Sequence, residues 1–127
     1  MSASIEVERI GLITIAITDL DKSVQFYCEI LGLELLFEIA SGLAFLNRGG
    51  TRLMLTILQG KVKNHKTSVI YYKVNDIHAS TERLKDKGVE FEREPQMAAK
   101  IEDHDLWFGF LGDPDNNVIG LMAEIPF

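Results

Sequence analysis

Apolar and polar positions follow one order along this chain, and then follow it again. "LITIAIT", Leu12 to Thr18, is short, apolar and β-branched, which predicts a largely buried strand. "DLDKSVQFYCEILG" follows. Asp19 is placed as an N-cap, its carboxylate taking free amide protons of the first turn. Leu20, Val24, Tyr27, Cys28 and Leu31 then recur at helical spacing as one apolar stripe. Gly32 is placed to end the helix in a left-handed conformation. "LELLFEI", "LAFLN" and "RLMLTIL" predict further strands, with turns at Gly42 and Gly49-Gly50.

From Val69 the order recurs. "VIYYKVN" predicts a strand, Asp76 a cap that Asn75 can share, and "IHASTERLKDKG" a helix ending at Gly88. Asp19 to Gly32 spans thirteen positions and Asp76 to Gly88 twelve. "VEFER" matches "LELLFE", and "DLWFGFL" leads through the turn "GDPDNN" into "NVIGLMAEI". The polar stretch "LQGKVKNHKTS" links the halves. The expected architecture is α+β, a single domain over 1–127 made of two pseudo-symmetric βαβββ modules at about 8–59 and 67–124. Neither module completes a core alone, so the two are expected to bury complementary faces against each other.

Composition narrows the function classes. The 127 residues carry a net charge of −6, which argues against nucleic acid, whose binders cluster Lys and Arg. "KVKNHK" at 61–66 reads as a solvated loop. No apolar run approaches the ~20 residues that a bilayer span needs. The start "MSASIEVERIG" lacks the basic and apolar regions of a signal peptide, so a cytoplasmic protein with no membrane partner is expected. Cys28 is the single cysteine and reads as a small apolar residue in the first helix.

Two motifs on this duplicated unit resemble a known family. "ITDLDKSVQFYCEILGLEL" is similar to the first-helix signature of the vicinal oxygen chelate superfamily. That superfamily includes glyoxalase I, bleomycin resistance proteins, fosfomycin-resistance enzymes and extradiol dioxygenases. "FGFLGDPDNNVIGLM" is similar to its last hairpin. The resemblance runs from about Ile10 to Met122 and implies a glyoxalase-like fold whose mixed sheets curl round a cavity, a homodimer and, in catalytic members, a divalent metal ion in that cavity. Metal ligands there are His, Glu or Gln on the first and last strands of each module.

Carried onto this chain, the pattern finds none of them. The first-strand ligand stands seven residues before the capping Asp, which gives Leu12 and Val69. The last-strand carboxylate falls on Gly120 in the second module, and the matching strand of the first offers Leu53, Met54, Leu55 and Thr56. None of these is a good ligand for a hard cation. Glu124 shares the parity of Gly120 but stands ~13 Å further along the strand, a poor substitute. The expected cofactor is therefore none, with a displaced divalent metal ion as the alternative.

Other residues could act. "KIEDHDLWF" is the least strand-like stretch before the final hairpin. His104 within it is either a general base or polar anchor, oriented by Asp103 or Asp105, or part of a solvated turn; the turn is favoured. Val69, Tyr71 and Lys73 share one strand face, so Tyr71 could offer its hydroxyl to a ligand while Tyr72 packs beneath the helices. Trp107 is a stacking wall or, more often in such a place, core. Arg52 could meet an anionic ligand; Met54, Met97 and Met122 could supply an adaptable apolar wall. His65 and His78 are expected to be exposed. Leu12, Arg52, Met54, Val69, Tyr71 and Trp107 thus form the candidate ligand set, with His104 the candidate catalytic residue. Two readings stand: a metal-free protein that binds a small organic molecule, or a lyase, isomerase or dioxygenase-like enzyme using a displaced metal or His104 and Tyr71.

Overall fold

A computed structural model describes residues 4–6, 9–39, 42–57 and 69–127. The link at 58–68, with its basic cluster and His65, lies outside the described residues. By contacts the chain divides into two units, residues 1–64 and 65–127.

The first unit runs β1 (Ile13–Ile17), α1 (Leu20–Val24), a π-helical segment (Gln25–Ile30), β2 (Glu34–Ile39), β3 (Leu43–Arg48) and β4 (Thr51–Ile57). Its sheet has the order β1-β4-β3-β2, with β1 parallel to β4 and the other neighbours antiparallel. Alternation sorts the side chains. Ile13, Ile15 and Ile17 pair with Leu53, Leu55 and Ile57 on one face, and Ala44, Leu46 and Leu55 there are fully buried. The helical segment covers this side, with α1 against β3 and β4. Phe26 and Tyr27 are both buried and meet edge to face, ring centroids 5.3 Å apart.

The expected apolar stripe needs correction here. Leu31 donates its N–H to Phe26 O, a five-residue step that widens the turn. Ser23, Phe26 and Tyr27 are buried; of the expected stripe Tyr27 is therefore inside, while Leu20, Val24, Cys28 and Leu31 are half-buried. Cys28 is half-buried; desolvation, then Glu38 and Glu29, push its thiol pKa up, away from reactivity.

The second unit repeats the plan: β5 (Ile70–Lys73), α2 (Ile77–Asp86), β6 (Phe91–Ile101), β7 (His104–Gly112) and β8 (Val118–Pro126), in the order β5-β8-β7-β6 with β5 parallel to β8. Its core is Ile77 and Leu84 of α2 with Leu111, Ile119, Leu121 and Ala123 of the sheet. The caps are matched. Asp19 accepts from Lys22 N and Asp76 from Ala79 N, each at 3.0 Å. Gly32 and Gly88 close the helices at φ 86° and 87°, the left-handed region open to glycine.

The second hairpin differs from expectation. β6 runs to Ile101 and β7 starts at His104, so only Glu102 and Asp103 form the turn within "KIEDHDLWF". The cross-strand partner supplies what local polarity hides: Ile101 pairs with His104 and Lys100 with Asp105. The "GDPDNN" turn is organised by Asp113, which is buried. Its Oδ1 accepts from Asp115 N and Asn117 N, and its Oδ2 from Asn117 Nδ2, all at 2.8 Å. No described helix is long and apolar enough to cross a membrane.

Candidate functional site

In the second unit one sheet face is covered by α2; the other, called the open face, carries no described helix of that unit. Register decides which side chains share the open face. Tyr71 pairs with Gly120 and Gly120 with Phe110; Lys73 pairs with Met122 and Met122 with Phe108. Leu106 pairs with Glu124, and His104 with Pro126. The open face is therefore aromatic at one end and charged at the other.

At the aromatic end the absence of a side chain at Gly120 is used. A Cβ built there would stand 2.5 Å from Tyr71 Cδ2 and 2.8 Å from Cε2, closer than real atoms approach. The Tyr71 ring thus lies directly over the bare backbone of Gly120. It also meets Phe108 at 4.8 Å and Phe110 at 5.9 Å between ring centroids. Tyr71 remains exposed, so this cluster is a surface and not a core.

At the charged end, Lys73 Nζ stands 2.8 Å from Glu124 Oε1. That hydrogen bond, and then the ammonium's charge, hold Glu124 below the usual carboxylate range. His104 Nδ1 is 2.9 Å from Asp103 Oδ1, and this hydrogen bond lowers the Asp103 pKa. His104 Nε2 is covered, has no hydrogen-bond partner among the described residues, and faces Glu124 Oε2 at 3.6 Å.

Among the expected site residues, Tyr71 and His104 share this face. His104 is a strand residue whose side chain is 18% exposed, not part of a solvated turn. The alternation argument fails there because Asp103 belongs to the turn and can reach back to the first strand residue. Asp105 instead meets Lys100 at 3.2 Å. Trp107 must be corrected as a ligand wall. It pairs with Ala123 on the helix side, and its ring meets His78 edge-on at 5.0 Å. Met97 pairs with Trp107, away from Tyr71. Tyr72 pairs with Leu121 on the helix side, where desolvation and then Asp113 raise its pKa. Arg52 and Met54 lie on β4 of the first unit, pairing with Asn47 and Phe45 on that sheet's open face. Leu12 and Val69 directly precede β1 and β5, and both are exposed. Sequence reasoning did not single out Phe108 or Phe110, and it weighed Glu124 only as a metal ligand. A parity count across three strands, fixed from the "GDPDNN" turn, is the signal that finds them.

A divalent ion needs lone pairs, and the positions that the resemblance assigns to it hold hydrocarbon at Leu12 and Val69 and a ring over Gly120. Those residues do not fit a metal. Among the described residues no group of three or more His, Cys, Asp or Glu is placed to hold one.

The family described as Glyoxalase/Bleomycin resistance protein/Dioxygenase superfamily matches residues 9–121. This chain belongs to that superfamily. It is 34% identical over 120 residues to a "Probable lactoylglutathione lyase" of Synechocystis sp. (strain ATCC 27184 / PCC 6803 / Kazusa), covering 85% of this chain and 89% of that protein. A protein of the same description from Vibrio parahaemolyticus is 31% identical over 118 residues, covering 84% of this chain and 83% of that one. Among solved structures, TnmS3, an antibiotic binding protein from Streptomyces sp. CB03234, shares the fold at TM-score 0.70 and 21% identity, covering 95% of this chain and 99% of that one. The superfamily fold is the α+β plan of two similar βαβββ modules read from the sequence.

Proposed function

We propose that this member of the superfamily is a metal-free protein that binds a small organic molecule against the aromatic end of the second unit's open face. The contact of Tyr71 with Gly120 carries the reading. Where relatives are expected to hold a carboxylate for a cation, this chain offers an aromatic surface flanked by Phe108 and Phe110. Apolar and aromatic walls with a few polar groups are the ordinary lining of small-molecule sites. The antibiotic-binding neighbour gives a precedent on the same fold. The protein acts in the cytoplasm, as a homodimer, without nucleic acid or membrane as partner.

A second reading, a glyoxalase-type lyase, an isomerase or a dioxygenase-like enzyme, is favoured by the names of the curated relatives and by the contact of Asp103 with His104 beside Glu124. It would use a displaced metal or His104 and Tyr71. The two separate on metal analysis of protein purified without a histidine tag, dialysed, then titrated with Zn²⁺, Ni²⁺ and Fe²⁺. No stoichiometric uptake and no shift in melting temperature are expected. Stoichiometric metal that survives dialysis and is lost in His104→Ala would overturn the metal-free reading in favour of the enzyme.

A further inference from the structure

The aromatic surface has a cation beside it. Lys73 follows Tyr71 by two residues on the same face of β5, roughly 7 Å along the strand. Its side chain is 60% exposed, and Glu124 is the ammonium's one partner among the described residues. An ammonium has three N–H donors, so about two stay open to a guest. Glu124 Oε1 accepts from Lys73, while Oε2 stands 3.6 Å from His104 Nε2, beyond hydrogen-bond distance, and Asp103 meets the other ring nitrogen. Next to the aromatic surface, Lys73 is thus a positively charged donor with unused hydrogen-bonding capacity.

We propose that this face takes a flat aromatic molecule bearing a carboxylate or another anionic oxygen group, its ring against Tyr71 and Phe108 and its anion at Lys73. The assignment rests on the metal-free binding reading above and adds the charge of the ligand.

Calorimetric titration with three probes of one ring system tests this: naphthoate, neutral naphthalenemethanol and naphthylmethylammonium. The wild-type chain is expected to bind naphthoate tightest and the ammonium weakest. Lys73→Met is expected to weaken naphthoate about fivefold, the scale of an exposed ionic contact, and to leave the alcohol unchanged. Tyr71→Leu is expected to weaken naphthoate and alcohol alike. If the alcohol binds through Tyr71 but naphthoate gains nothing over it, or the ammonium binds tightest, the anion assignment is overturned while the platform stands. If none of the probes binds the wild type, the platform reading fails and takes the assignment with it.

Discussion

The two units use one frame and distribute bulk across it in opposite ways. Thr14 stands five residues before Asp19, and Tyr71 five before Asp76. Thr14 pairs with Met54 and Met54 with Phe45, whereas Tyr71 pairs with Gly120 and Gly120 with Phe110. The same row across three strands is therefore small, long, aromatic in the first unit and aromatic, bare, aromatic in the second. One row further on, Ala16 and Thr56 correspond to Lys73 and Met122. On the helix side the strand at the centre of this row keeps its residue: Leu55 and Leu121, which match by register, are both buried, though Ile15 is matched by Tyr72. Caps, turns and the helix-side core set the frame, and the open face is where chemistry can differ between copies.

The hardest test of this comparison is to write the first unit's row into the second. Gly120→Met forces side-chain atoms into the Tyr71 ring and is expected to cost about 2 kcal/mol in urea unfolding, the scale of overpacking. Adding Tyr71→Thr should return most of it. A double variant no more stable than the single one would break the equivalence of the rows. Smaller effects are expected at the matched caps. Asp19→Ala and Asp76→Ala should each cost about 1 kcal/mol, and thermal unfolding that shows a loss at only one site would mean that the frames are not held alike.

The least energetic test concerns the charged end alone. Glu124 should titrate below its ordinary 4.5 by carboxylate NMR, and Lys73→Met should move it back up. A carboxylate whose folded pKa is lowered contributes stability above its ordinary value and loses it as pH falls through the folded one. Acid should therefore dissolve this contact. An unmoved Glu124 signal in Lys73→Met would separate the two groups and weaken the distinction drawn between the units.

Much of this frame was legible in the residues because its signals are local. Asp19, Asp76, Gly32 and Gly88 act within a few residues of themselves, and the alternation around Tyr71 and Tyr72 sorts them correctly between faces. The rest depends on partners distant in sequence. The widened turn at Gln25–Ile30 answers to packing, and a fixed 3.6-residue period cannot express it. The β6–β7 hairpin hides behind acids that suit a loop, though each has a cross-strand or turn position. Lys73 and Glu124 are 51 residues apart, and only the parallel pairing of β5 with β8 brings them together. Gly120 could be seen to lack a ligand; that Tyr71 lies over it needs the ring's direction, which no spacing gives.

The contact between ring and backbone also makes the order of mutational steps matter. A carboxylate arriving first at 120 meets the Tyr71 ring at once and carries a penalty. Trimming residue 71 first opens a gap that the same carboxylate can then enter without a clash. Directed evolution of a metal site in this unit would thus be less costly through residue 71 first and residue 120 afterwards.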